Sequence, residues 1–195
     1  MSGTTYKVKF RRRREQKTNY PKRLAFLQSE KPRMVFRKSN KYVTLQLVEY
    51  QQGQDQTQIS LSSKQLQNMG WIGNTNLATC YLLGYWFGKQ AQQKGYPEAI
   101  LDLGQNTPHH GGKAFSALKG ALDAGLKVPH SEEALPKTDR MQGSHIQQYA
   151  QKLDESQIKK RFSQYVGKNI DIKNLSKVFE KIKTEISQKN FTENK

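Results

Sequence analysis

Across the stretch from Tyr42 to Tyr50, Val43, Leu45 and Leu47 alternate with Thr44 and Gln46, the period of a strand with one face buried. Arg33 to Arg37, with Met34, Val35 and Phe36 in succession, predicts a second strand just upstream. The link Lys38-Ser39-Asn40-Lys41 is a tight polar turn in which Asn40 can take positive φ, so the two strands should form a hairpin. After a second turn over Gln51-Gln52-Gly53-Gln54-Asp55-Gln56, Thr57 to Leu61 alternates again and predicts a third, antiparallel strand. The period then changes. Leu77, Tyr81, Leu82 and Tyr85 predict a helix capped by Asn74 or Thr75 and ended by Gly95 after about Lys94. Ala99 to Leu103, a mostly apolar run closed by Gly104, predicts a central strand buried on both faces. Phe115, Leu118, Ala121 and Leu122 share one face of a helix from Lys113 to Ala124, with Gly125 at its end. Strands followed by helices make an α/β sandwich.

Both flanks differ from this body. From Met1 to about Glu30 apolar residues are sparse and show no period, which marks a basic N-terminal arm. Past Pro136 two amphipathic helices are expected, one carrying Ile158, Phe162, Tyr165 and Val166, the other Leu175, Val178, Phe179, Ile182 and Ile186. The expected organisation is an arm over 1–30, an α/β body over 31–136 and a basic helical C-terminal extension over 137–195.

Charge sharpens that division. The 195 residues carry 33 Lys and Arg against 16 Asp and Glu, a net of +17. Residues 1–50 hold 14 basic and 3 acidic side chains, residues 51–150 hold 8 and 7, and residues 151–195 hold 11 and 6. A nearly neutral body with basic flanks suits a polyanionic partner, and nucleic acid leads. Arg11 to Arg14 repel one another, so the arm is expected to gain fixed structure only when a ligand neutralises it. The longest mainly apolar stretch, Leu77 to Gly88, is far short of the roughly 20 residues of a membrane-spanning helix. No secretory signal is expected either, because no apolar run follows the basic start before Arg23. The single cysteine, Cys80, excludes a disulfide within the chain and a cysteine-rich zinc site, and suits a reducing, intracellular compartment.

The densest chemical signal is Lys7, Lys9, Arg11, Arg12, Arg13, Arg14, Lys17, Lys22 and Arg23 interleaved with Tyr6, Phe10 and Tyr20. Guanidinium forks grip phosphates, and aromatic rings offer faces to unpaired bases. A solvated tail or a localisation signal is the plainer alternative. Arg33, Arg37, Lys38, Lys41 and Tyr42 gather at the hairpin end, where a rigid turn would fix their mutual geometry and give register as well as affinity. An ordinary exposed turn is the alternative there. His109-His110 before Gly111-Gly112-Lys113 suggests neither a metal pair nor a P-loop, since Thr107 and Ala114 stand where that loop needs Gly and Ser or Thr. The Gly-rich approach to a helix still suits an RNA phosphate beside Lys113. Asp102 and Asp123 lie on different elements with no geometry linking them, and Cys80, Trp71, Trp86 and Phe87 read as packing residues. No catalytic set, metal site or cofactor is expected. An α/β enzyme tethered to nucleic acid by its arm is the competing class, and it lacks any coherent set of catalytic side chains.

Longer motifs carry a family likeness. Tyr6-Lys7-Val8, Phe10 to Glu15, Lys17-Thr18 and Tyr20 resemble the N-terminus of the archaeal large-subunit ribosomal protein L-eighteen family, counterpart of the eukaryotic ribosomal protein L-five. So do Lys31-Pro32-Arg33, Arg37-Lys38-Ser39-Asn40-Lys41, Gly70-Trp71, Ala99 to Gly104, Ala117 to Leu126 and Pro129 to Glu133. The resemblance implies a mixed sheet packed with helices and a noncatalytic, cytoplasmic protein that binds 5S ribosomal RNA in the central protuberance of the large subunit. It also implies contacts with the large ribosomal RNA and with neighbouring proteins, including ribosomal protein L-five of the archaeal and bacterial type. The arm and the segment Arg37, Lys38, Ser39, Asn40 and Lys41 are the RNA-facing positions that it implies. The loop Gln105 to His110 departs from the pattern, and beyond Gln151 only helical, basic character matches.

Overall fold

A computed structural model describes residues 7–189. In chain order, α1 (Arg11–Arg14) and α2 (Tyr20–Gln28) precede the strands β1 (Arg33–Lys38), β2 (Val43–Gln51) and β3 (Gln54–Ser62). A 3-10 turn, Ser63–Met69, leads to α3 (Leu77–Gln93), β4 (Ile100–Asp102) and α4 (Lys113–Asp123). Beyond the 3-10 turn Glu132–Ala134 come α5 (Thr138–Gln142), α6 (Ser144–Gln151), α7 (Glu155–Arg161) and α8 (Ser163–Val166). The 3-10 turn Ile172–Asn174 then precedes α9 (Leu175–Gln188). The fold is mixed α/β, as expected.

The sheet runs β3-β2-β1-β4, with β1 antiparallel to β2, β2 antiparallel to β3, and β1 parallel to β4. The expected central strand at 99–103 is therefore an edge strand, and Ile100, Leu101 and Asp102 are only half-buried. A short apolar run records burial without recording neighbours, and the parallel partner of β1 had to return across α3 to the free side of β1. The first hairpin turn is closed by Ser39, whose hydroxyl donates to the Tyr42 carbonyl at 2.9 Å and accepts from the Tyr42 N–H at 3.0 Å. Asn40 stays out of the positive-φ region, because this side-chain latch does the work of a left-handed residue. The second turn does use that region, with Gln52 at φ 49° and Gly53 at φ 83°.

Alternation along the strands sends Met34, Phe36, Val43, Leu45, Leu47, Ile59 and Leu61 into one core. Against them lies α3, which is buried over most of its length because the sheet covers one side and α4 and α9 the other. Asn76, one residue past the expected caps, accepts the Thr79 N–H at 2.7 Å and starts α3, while Gly95 at φ 80° ends it. The crossing of α3 and α4 is built from small residues. Gly84, Gly88 and Gly120 bring the two backbones so close that a Cβ at any of them would enter the neighbouring helix.

The C-terminal region is more divided than two helices. α5 and α6 are additions, and the expected first helix breaks into α7 and α8 at Phe162, where φ −119° and ψ 33° leave the helical region. Each piece inserts one or two apolar residues, too few to set a period: Met141, Ala150, Ile158 and Tyr165 are buried. α9 behaves as expected and packs Phe179 against Trp71 and Tyr81, at ring distances of 6.2 and 5.4 Å. The Trp71 indole N–H donates to Thr79 at 2.7 Å in the buried core, so this tryptophan is structural. Burial pushes the Cys80 thiol up to about 12, which leaves it an inert packing residue. Among the described residues no helix is long and apolar enough to cross a membrane.

Candidate nucleic-acid interface

The face of β1 opposite the core carries Arg33, Val35 and Arg37, beside Gln46 and Val48 of β2, and α2 borders it. No residue of α2 is buried, and its sequence has no apolar stripe. It forms because Asn19 caps it, accepting the Lys22 N–H at 3.2 Å, and Pro21 sits in its first turn. Between α2 and the sheet lies a groove of about 220 Å³ lined by Arg12, Lys17, Lys22, Arg23, Arg33 and Arg37 and by two carboxylates, Asp55 and Asp102.

Those carboxylates organise the groove. Asp55 takes Arg23 at 2.7 Å on one oxygen and Arg33 at 2.9 Å on the other. Arg33 reaches on to Asp102 at 3.1 Å, and Asp102 accepts the Gly104 N–H at 2.8 Å. Arg33, expected to face RNA, is instead only 6% exposed and spends its guanidinium on two internal carboxylates. A cation so committed positions the surface and leaves nothing for a phosphate. Burial raises the Asp55 pKa, but hydrogen bonds from Arg23 and Arg33 and their charges outweigh it and hold the carboxyl below its ordinary value. The sequence hid this arrangement because Asp55 and Asp102 are 22 and 69 residues from Arg33; the only hint was a lone acidic residue in an otherwise neutral hairpin turn.

Around that frame the remaining cations are exposed. Lys7, Lys9, Arg11 to Arg14, Lys17 and Lys22 are exposed, with Glu15 meeting Lys17 at 2.8 Å and Arg11 at 3.7 Å, and Arg12 donating to Thr18 at 2.8 Å. Tyr6 lies outside the described residues. Phe10, 70% exposed, leans on Tyr20 with ring centroids 5.2 Å apart, so the arm and α2 share one open aromatic pair. At the hairpin end Arg37, Lys38, Ser39, Asn40 and Lys41 are exposed and Tyr42 is half-buried. Strand alternation splits them. Arg37 faces the groove, whereas Lys38 meets Lys113 and His109 across a second cavity of about 350 Å³ at the start of α4. There the cap residue is Gly112, which supplies no side chain to the helix N-terminus. Arg13, Arg14, Lys22, Arg37, Lys38, Lys41 and Lys113 take part in none of the ion pairs among the described residues. No cluster of His, Cys, Asp or Glu among the described residues could hold a metal ion.

Residues 4–99 and 88–131 match the family model described as ribosomal large subunit proteins 60S L5 and 50S L18. The chain is 45% identical over 187 residues to the large ribosomal subunit protein uL18 of Methanothermobacter thermautotrophicus, spanning 95% of this chain and 97% of that one. The uL18 of Methanosphaera stadtmanae is 42% identical over 187 residues, with the same coverage, and that of Korarchaeum cryptofilum is 45% identical over 184 residues, 93% of this chain and 94% of that one. Likeness over nearly the whole chain means that the chain belongs to the family of ribosomal large subunit proteins 60S L5 and 50S L18, structural constituents of the cytoplasmic large subunit and not enzymes.

Proposed function

We propose that this protein binds 5S ribosomal RNA and anchors it in the central protuberance of the large subunit, with the arm over 1–30 supplying affinity and the hairpin end supplying register. The observation that carries the reading is the contrast between paired and unpaired cations. Arg23 and Arg33 are held by carboxylates, while Arg12, Arg13, Arg14, Arg37, Lys38 and Lys41 stand exposed and belong to no ion pair among the described residues. Phosphates would take the unpaired groups, and the open Phe10 and Tyr20 rings would take unpaired bases. Lys113, across the second cavity from Lys38, extends the same surface. The large ribosomal RNA and neighbouring large-subunit proteins, among them ribosomal protein L-five of the archaeal and bacterial type, are the further partners in this reading.

With about eight phosphate contacts, the logarithm of affinity for 5S RNA should fall against the logarithm of salt with a slope of roughly −6 to −7. Replacing Arg11 to Arg14 with Gln should weaken binding to every RNA about a hundredfold and flatten that slope by roughly 3 to 4. Replacing Arg37, Lys38 and Lys41 with Gln should also reduce the preference for 5S RNA over a competing hairpin RNA, by about tenfold. Competition binding at fixed salt, with circular dichroism to confirm folding, measures both. Equal affinity of the wild type for any RNA would sink the reading.

A second outcome concerns order in the arm. The single turn α1 buries no residue, so its amides should exchange quickly in the free protein and become protected on RNA binding. Hydrogen exchange read by NMR at Arg11 to Arg14 checks this; protection already present without RNA would contradict it.

A further inference from the structure

Where the loop before α3 meets α6, α7 and α8 lies an open cavity of about 520 Å³ that shares no residue with either basic cavity. Its wall is aromatic. Phe162 meets Tyr149 edge-on at 6.1 Å and Tyr165 at 5.8 Å, so the rings form a corner. Tyr149 stands at the rim, 40% exposed, with the Arg161 guanidinium over its ring at 5.7 Å and donating to its hydroxyl. The floor is polar. The Tyr165 hydroxyl, on a residue 7% exposed, accepts from Asn76 Nδ2 at 3.3 Å and also bonds the Asn74 side chain. Lys159, Lys160 and Arg161 close α7, and none of them belongs to an ion pair among the described residues.

We propose that this cavity receives one unpaired RNA base, stacked against Tyr149 and Phe162, with its polar edge on Tyr165 and its phosphate beside Arg161. The inference rests on the RNA-binding reading above. It adds a second kind of contact, on the C-terminal region. Ring faces favour a flat heteroaromatic group, and the Asn74, Asn76 and Tyr165 side chains on the floor offer donors and acceptors to that group's polar edge. An aliphatic or phenyl side chain from a neighbouring protein would cover the rings but offer nothing to the polar floor of Asn74, Asn76 and Tyr165. Arg161 at the rim, the last of the three cations that close α7, suits the charged backbone on which such a base arrives. Paired bases keep their faces stacked inside a helix, so a duplex does not fit.

The test uses the full chain and a single-stranded RNA pentanucleotide with 2-aminopurine at its centre, whose fluorescence is quenched by stacking. In a background with Phe10→Leu and Tyr20→Leu, so that the arm's own rings cannot stack the probe, Tyr149→Leu should lower affinity for this strand about tenfold and abolish the quenching. Arg161→Gln, an exposed change at a helix end, should weaken binding and flatten the salt slope by about one. The arm variant with Arg11 to Arg14 replaced by Gln should keep the quenching, and the same strand in a blunt duplex should show none. Unchanged affinity and quenching in both cavity variants would overturn the proposal, as would equal quenching by the duplex. In assembled large subunits, p-benzoylphenylalanine placed at Gln164 should crosslink to RNA; a crosslink to protein alone would also overturn it. Loss of 5S RNA binding by the wild-type protein, with quenching retained, would count against the proposed function and leave this cavity standing.

Discussion

A Gly120→Ala variant is expected to be less stable than the wild type by about 3 kcal/mol, an unusually large loss for the smallest possible addition. In an ordinary helix interior the same change would gain about 1 kcal/mol, because alanine restricts the unfolded backbone and favours the helix. Here the added methyl would enter the Tyr81 carbonyl of α3 and lie 2.7 Å from the Tyr85 nitrogen. Both obstacles are backbone, so no side chain can swing aside; α3 and α4 must separate. That separation would loosen the contact of α3 with the sheet on one side and with α9 on the other. Gly88→Ala should behave in the same way, since its methyl would come within 2.8 Å of the Ala121 carbonyl and 2.7 Å of the Ala124 side chain. Gly167→Ala, whose nearest neighbour would be the Ser163 carbonyl at 3.3 Å, serves as the control and should cost little. Urea unfolding followed by circular dichroism gives all three values. Wild-type stability for Gly120→Ala would mean that the helices do not cross at this distance.

Removing the buried guanidinium is the second large change. Arg33→Ala should cost about 3 kcal/mol, because it leaves the largely buried Asp102 without a compensating charge and Asp55 with Arg23 alone. Loss of a good ion pair is the smaller part of that figure; the uncompensated Asp102 carboxylate is the larger. The same network predicts an acid limb to stability. Asp55 holds its proton less tightly folded than unfolded, so as pH falls the unfolded chain takes the proton first. Its contribution is therefore fully present above about pH 4, the ordinary carboxyl value, and is lost as pH drops through the lower folded value. Asp55→Asn should be less stable than wild type near neutrality and should show a shallower decline below pH 4. An unaltered acid limb in Asp55→Asn would place the titrating group elsewhere.

What the sequence disclosed and what it concealed divide along one physical line. The hairpins were legible because Val43, Leu45, Leu47, Ile59 and Leu61 alternate, and alternation is a local property of a strand with one buried face. The ends of α3 and α4 were legible because Gly95 and Gly125 announce the left-handed residue that stops a helix. The edge position of β4 was not legible, since Ile100 to Asp102 say nothing about which strand lies beside them. Arg33 was misread for a similar reason: a cation three residues after Glu30 and two after Lys31 belongs by composition to the basic flank, and only distant carboxylates make it a core residue. α2 was hidden because it is held through Arg23 and Asp55 without an apolar stripe. The break at Phe162 was hidden because amphipathic spacing continues across it. The exposed cations of the arm and the turn needed no partner to be seen, so these parts of the candidate interface could be read directly from the chain.

The bond between Arg33 and Asp102 spans 69 residues, and that distance has a meaning in time. During synthesis Arg33 leaves the translating ribosome first, and the strand carrying Asp102 follows it only about 3 to 14 seconds later at ordinary elongation rates. Through that interval β1 lacks its parallel neighbour and Arg33 lacks one of its two carboxylates, while Arg11 to Arg14 are already out and surrounded by RNA. The nascent chain thus acquires its stickiness before its register. A factor that shields the first 30 residues until β4 has docked would correct that order, and delaying β4 by slow codons before residue 100 should increase capture of the nascent chain by the wrong RNA.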